Sequence, residues 1–535
     1  MTDDYDVDEI RTLITNIRSP ERNVRLSALA NLHVIAQVLG PERTENELIP
    51  FTMDTTDHFD ECYIKIAKVL YKLMDKVNSI KIIIKSLKTI CEKEDQKIRG
   101  TGIKTLMRIG RKISDDVFDE IFQSFIFSVC EDSWYPLRCT GANLLCMFYR
   151  KIPKADYKKS NYLLIGLSTD KNVIVRKNLA TSLPILIKYS VGSRSTTEIS
   201  LKLLKNLGND TAAAVLIEIP QSIALIAPNN PDLAIEISSA VFKSNCWQAK
   251  SVLISFLDQI CLSKSKAALK FIRNVADSSV QDMNDVIRSS IARQIPFIYK
   301  SNCFGDEDEF QQFSTTLITD TQKEVRISAA ESLGNMKEDA PYFLEAALGA
   351  LLNDDEVDVK IAALKSVATS GNAVDSATSS LEEITQSKNW RERKSIAELL
   401  PKIALSMNDE DFDEQVGNTL KLLFCDEADD VRRATINSIA FLIKKFGQEW
   451  MNKTVVGLIK KTYQDNDYML RKTAIEAIIK LRLKNECIDV LKAATKDPIS
   501  NVRLVLARDL KRPSHILQKL AKDPDPDVAY FASLP

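Results

Sequence analysis

At 535 residues the chain is long enough for several globular domains or one extended array, but 15 Gly and 17 Pro are about half of average usage, which leaves few tight turns and argues against a β-rich fold. Lys plus Arg (72) nearly balance Asp plus Glu (73), a formal net charge of -1, which excludes a global electrostatic footprint for nucleic acid or an acidic membrane and leaves room only for a local basic patch. The class is helical.

The N-terminal MTDDYDVDEI is acidic where a secretory signal is basic and then apolar, and no uninterrupted apolar run reaches the ~20 residues that span a bilayer. A soluble protein of the cytoplasm, with access to the nucleus, is expected. From there one element recurs: an Asp, four variable residues, an apolar residue and a basic one. Its basic column runs through Arg25, Lys65, Arg99, Arg138, Arg176, Leu216, Lys250, Arg288, Arg326, Lys360, Arg393, Arg432, Arg471, Arg503 and Ala529. Steps range from 32 (471 to 503) to 40 (25 to 65), with a final step of 26 (503 to 529), the period of a helical-hairpin solenoid of about fifteen units.

Within each unit the Asp suits the turn before a second helix, where its oxygens accept from unpaired backbone N–H groups. Apolar residues then follow at helical spacing, as in Val175, Leu179 and Leu183, Ile287, Ile291 and Ile295, or Val325, Ala329 and Leu333. One face of each second helix is predicted to be buried. The basic residue falls at the rim of that face, where its charge can meet the Asp of the adjacent unit. Such partly exposed pairs are expected to set register and to contribute little individually.

This pattern resembles the HEAT-repeat family, and three places resemble its phosphatase 2A scaffold-subunit branch: VLGPERTENELIPF (Val38 to Phe51), FLIKKFGQEW (Phe441 to Trp450), and the turns DPISNVRL and DPDPDVAYFA. The resemblance covers the whole chain and is weakest over 192–313. It implies an all-α solenoid of about fifteen HEAT repeats in a curved horseshoe, a single array over 1–535 with no catalytic activity and no cofactor. In that family, intra-repeat turns of repeats 11 to 15, here about 375–535, hold a phosphatase catalytic subunit. Those of the N-terminal repeats, here about 1–300, hold an exchangeable B-type regulatory subunit.

Carried over by motif, the resemblance implies that Trp390 and Arg391 in SKNWRER, Tyr468 in DNDYMLR and Ile499 in DPISNVR face the catalytic subunit, and that Trp134, Lys177 and Trp247 face a regulatory one. Trp, Tyr and Arg outside the buried stripe are the residues that most often anchor interfaces. Trp134 and Trp247 have a structural alternative, packing against the neighbouring repeat. Departures from the family are Asp429 for a turn tyrosine, Gln248 for an arginine, Leu216 in the basic column, repeats 13 and 14 shortened where they link to the next unit, and a final helix that stops at Pro535, so that the polar terminal cap is expected to be incomplete.

No chemistry of its own is expected. His33, His58 and His515 are spread along the array, phosphate-loop and phosphatase metal motifs are absent, and GDEDEF and DDEVD lack chelating spacing. Ten cysteines without a C-x-x-C pair read as small apolar core residues. Two other classes compete: a HEAT-type nuclear-transport adaptor, and a HEAT-fold DNA glycosylase-like enzyme, which the neutral charge disfavours.

Overall fold

The computed structural model describes residues 7–54, 59–190, 194–263, 265–336, 341–370, 374–510 and 515–534. Every regular element among them is a helix. They form two compact units, Met1–Val275 and Ala276–Pro535. The chain is an all-α solenoid built of helical hairpins, and each unit is held by the same packing rule.

In the first unit the second helices stack in sequence order: Arg22–Ala30 on Asp60–Leu70, then Gln96–Lys112, Tyr135–Phe148 and Val173–Ser190. In the second unit Asp285–Ala292, Lys323–Leu333, Val357–Ser370, Trp390–Ile403 and Asp429–Trp450 do the same. The predicted stripes are the core of this stack, since Val175, Leu179, Leu183, Val325, Ala329, Leu333, Ile396 and Leu400 are all fully buried. Each larger aliphatic side chain so placed contributes roughly 1.5–3 kcal/mol. Pro220 and Pro296 interrupt two second helices near their middles, because proline removes an N–H and crowds the preceding turn.

Register between neighbours is set by arginine clamps that lie deeper than the sequence suggests. Each guanidinium grips the Asp of the next repeat through two nitrogens: Arg138 on Asp170 and Arg176 on Asp210 in the first unit, and Arg288 on Asp320, Arg326 on Asp354, Arg393 on Asp426, Arg471 on Asp497 and Arg503 on Asp523 in the second. The Nε–Oδ2 distances are 2.6–2.7 Å, and the side chains are only 7–15% (Arg) and 2–9% (Asp) exposed. These are buried bidentate pairs, in the regime where loss of one partner is costly. The expectation of partly exposed, individually weak pairs is therefore corrected.

Each arginine also donates Nη1 to a carbonyl in its own turn, as Arg326 does to Asp320 O at 2.7 Å and Arg503 to Asp497 O at 2.7 Å. The aspartates accept, besides, from the backbone N–H two residues on, as Asp354 does from Glu356 and Asp497 from Ile499. One arginine thus closes its own turn and fixes the next.

Other steps depart from this rule, among them these three. Lys360 meets Ser387 where an Asp would be, and reaches Glu383 instead at 2.7 Å. Arg432 turns to Thr473 Oγ1 (2.8 Å) and Asp429 (3.1 Å). Between repeats 6 and 7, Leu216 and Ser244 line a cleft of about 560 Å³, and neither can supply an ionic rung.

The clamps make a pH prediction. Burial pushes the Asp170, Asp210, Asp320, Asp354 and Asp497 carboxyls up, but the arginine hydrogen bond and the backbone N–H together outweigh it and hold each below the ordinary carboxylate range. At Asp523 the Arg503 hydrogen bond is itself the largest influence, in the same direction. A carboxylate with a depressed folded pKa stabilises above its unfolded value, about 3.9, and loses that contribution as pH falls through the folded one. Urea melts should show the clamp contribution intact from pH 7 to about 4 and falling below it. A decline centred between pH 7 and 5 would assign the acid sensitivity elsewhere.

Glycine matters most at two junctions where a second helix runs straight into the next hairpin. Gly40 (φ 78°) and Gly447 (φ 91°, ψ -174°) turn the chain inside Leu32–Arg43 and Asp429–Trp450, and each is followed by a π-helical turn, Thr44–Leu48 or Met451–Val455. Beyond Gly447 the buried Trp450 donates Nε1 to Asp413 at 2.9 Å, and Thr454 donates to the same carboxylate at 2.9 Å. Both glycines have open space at the Cβ position, so the demand is conformational. Gly447→Ala is expected to cost about 1–3 kcal/mol. Gly349→Ala, in a helix interior with equal room, should stabilise by about 0.5–1 kcal/mol, so denaturant midpoints moving in opposite directions check the argument.

Candidate protein-binding ridge

Several of the turns before the second helices carry exposed apolar side chains that the core does not use, among them Trp134, Trp247, Tyr468 and Ile499. In repeat 11, Ser387 Oγ accepts from Asn389 N (3.1 Å), and Asn389 Oδ1 accepts from Arg391 N (3.1 Å). Glu392 accepts from the Asn389 side chain (2.8 Å), and Arg393 closes the turn on Ser387 O (2.6 Å). Trp390 is the first residue of the helix Trp390–Ile403 and none of these bonds uses its side chain. Its indole is half-buried, and the exposed Arg391 guanidinium lies over it at 4.7 Å from the ring centroid. Among the described residues no carboxylate pairs with Arg391. An aromatic plate backed by a free cation suits an acidic or hydrogen-bonding partner.

Tyr468 (36% exposed) opens the helix Tyr468–Leu481, capped by Asp467, and Ile499 (38% exposed) sits at the cap position of Ser500–Asp509. Trp390, Arg391, Tyr468 and Ile499 therefore all stand at the N-terminal ends of second helices in one unit, with about 10 Å per packed helix between successive turns. The intervening turn of repeat 12 presents no aromatic. Its Asp429 is engaged by Arg432 (3.1 Å) and Arg433 (2.8 Å).

In the first unit Trp134 (40% exposed) and Trp247 (42% exposed) occupy the same kind of position. Trp134 has a structural tie as well, for its Nε1 donates to Glu92 O of the preceding repeat at 2.7 Å. No comparable bond holds the Trp247 ring among the described residues. Lys177 is half-buried, with Nζ 3.9 Å from Glu218. Sequence reasoning passed over Val173 and Ile174, 37% and 41% exposed in the repeat 5 turn, and Val286, 40% exposed in repeat 8. The run Val173-Ile174-Val175 was the available signal, since a single buried stripe uses only its last member.

Among the described residues no group of three or more His, Cys, Asp and Glu stands close enough to hold a metal. Burial pushes the Cys91 and Cys146 thiols up to about 12, far from a reactive thiolate. Cys425 is exposed, against the expectation of core cysteines, and His58 lies outside the described residues. No helix among the described residues is long and apolar enough to cross a membrane.

Stacked helical hairpins with a clamped register and an exposed turn edge define a HEAT-repeat solenoid, and the HEAT repeats family pattern matches residues 310–401. More particularly, part of the chain is similar to the scaffold subunits of phosphatase 2A. It is 28% identical over 187 residues to the protein phosphatase 2A scaffold subunit of Dictyostelium discoideum, covering 34% of this chain and 32% of that one. Over 214 residues it is 26% identical to the corresponding regulatory protein of phosphatase PP2A from Schizosaccharomyces pombe, covering 39% and 36%. The matched stretches span about a third of these relatives' length. Among solved structures, Kap95 in its complex with Nup1 superposes with a TM-score of 0.62 at 13% identity, over 99% of this chain and 76% of that one. At that identity the likeness is one of fold.

Proposed function

We propose that the chain is a non-catalytic scaffold of a phosphatase 2A-type holoenzyme, holding a catalytic subunit on the turns of repeats 11 to 15 and a B-type regulatory subunit on those of the N-terminal repeats. The observation that carries the reading is the Trp390–Arg391 pair, a half-buried indole under an exposed guanidinium on a turn that is already complete without it. Relatives described as scaffold and regulatory subunits of phosphatase 2A support the partner class. A scaffold of this kind acts by proximity, raising the effective concentration of a substrate-bearing subunit beside the enzyme.

The test is a binding assay between the full chain and a purified phosphatase 2A catalytic subunit, joined to a mass-spectrometric inventory of proteins that copurify with the chain. A stoichiometric catalytic subunit is the expected result. Transport factors or cargo without phosphatase would favour the adaptor reading that the karyopherin-like fold leaves open.

On the regulatory side, Trp134→Ala should weaken capture of a B-type subunit while the catalytic subunit stays bound. Because the indole also holds Glu92 O, the same change should lower the melting temperature, with about 1 kcal/mol for the lost hydrogen bond. Release of both subunits together would refute the division of labour between the two sets of turns.

A further inference from the structure

A second surface lies on the second helices of repeats 2 and 3, away from the turns. The helix Gln96–Lys112 contains no acidic residue, and its exposed cations Lys97, Lys104, Arg108 and Arg111 fall at steps of seven, four and three, which places them along one side. Beside it, Asp60–Leu70 and the following turn Tyr71–Lys76 present Lys65, Lys68 and Lys72 at steps of three and four. Two contacts hold the rows side by side: Arg108 stacks on the Tyr71 ring at 3.9 Å, and Lys112 pairs with Asp75 at 2.8 Å. On the far side Arg111 touches Met147 Sδ at 3.3 Å, in a neighbouring helix, Tyr135–Phe148, that also carries no acid.

The carboxylates of these segments are committed or lie at the ends. Glu61 is held by Arg22 at 2.6 Å, Asp75 by Lys112, and Asp95 caps its helix through Ile98 N. Among the described residues no carboxylate pairs with Lys68, Lys72, Lys97, Lys104 or Arg108. In a chain of net charge -1 this is a concentration of unneutralised cations on a folded face.

We propose that this face binds an acidic segment of a protein partner in extended form. From Lys97 to Arg111 the helix rises about 21 Å, which matches about six residues of extended chain at ~3.3 Å each. The length favours a short segment over a nucleic acid. Glu92, Glu94 and Asp95 bracket one end and Asp115, Asp116 and Asp119 the other, so a polyanion continuing past either end would meet like charge. The surface needs only this charge pattern and holds whether or not a phosphatase sits on the turns of the other unit.

The probes are a fluorescein-labelled decapeptide of alternating Asp and Glu, its Asn/Gln counterpart, and a labelled ten-nucleotide oligothymidylate, measured by anisotropy with the full chain at 50 and 300 mM salt. The acidic peptide should bind at low salt, weaken at high salt, and bind more tightly than either control. The charge reversal K68E/K104E/R108E should weaken it about tenfold or more, and K421E on the other unit should leave it unchanged. Because Arg108 also stacks on Tyr71, K68Q/K104Q serves as a variant that keeps that contact and should lose several-fold affinity with an unaltered melt. The proposal is overturned by no binding of the acidic peptide, by equal binding to wild type and K68Q/K104Q, or by tighter binding of the oligothymidylate, which would assign the face to nucleic acid.

Discussion

Replacing Trp390 by alanine is expected to weaken binding of a phosphatase 2A catalytic subunit by about 2–4 kcal/mol, the range of a central aromatic anchor. Folding should be little affected. The cap on Asn389, the bonds to Glu392 and the closure by Arg393 all survive the change, and the ring has no hydrogen bond of its own among the described residues. The burden falls on this turn because repeat 12 offers an internally paired Asp429 where an aromatic would add contact. Arg391→Ala should cost less than the tryptophan and should not add to it fully, since the guanidinium is positioned by the ring it covers. Calorimetric titration alongside thermal melts decides the matter. A variant that melts well below wild type yet binds with unchanged affinity would make Trp390 a packing residue.

Much of this arrangement is legible in the sequence because a solenoid is a local fold. Each unit contacts its neighbours, so the period, the buried stripe and the turn aspartates appear as short-range patterns. The turn residues outside the stripe follow by subtraction, which is how Trp390, Arg391 and Tyr468 stand out, whereas Ile499 enters through the family resemblance.

Depth is what local pattern hides. Whether an arginine at the rim of one helix is exposed or buried depends on how closely the next hairpin packs, and the clamps prove largely shielded. Substitute partners are equally unreadable, since Glu383 for Lys360 and Thr473 for Arg432 occupy no repeated column. The same holds for the indole of Trp134, whose acceptor is a backbone carbonyl 42 residues away. In FLIKKFGQEW the resemblance marks the stretch, and the structure supplies the cause: a glycine-only turn that carries a buried tryptophan onto Asp413.

The clamps, in turn, connect stability to the ridge, and Asp497→Ala should show it. This carboxylate is 2% exposed at the side chain and accepts from Arg471 Nε (2.7 Å), Arg471 Nη2 (3.0 Å) and Ile499 N (3.0 Å). Its removal leaves a shielded guanidinium and a turn N–H without their acceptor, an uncompensated state that costs about 3–5 kcal/mol. The double change Arg471→Met with Asp497→Leu should recover most of that loss, because both charges leave together. Nearest-neighbour packing confines the damage, so amide exchange should quicken first in Tyr468–Leu481 and Ser500–Asp509 and leave Lys323–Leu333 protected. Since the same carboxylate holds the backbone of Ile499, the single variant should also bind the catalytic subunit less well, and the double variant should regain stability before it regains binding. Equal loss of protection in Lys323–Leu333 would mean the second unit unfolds as one block, and a wild-type melt for the single variant would mean that the clamp contributes nothing.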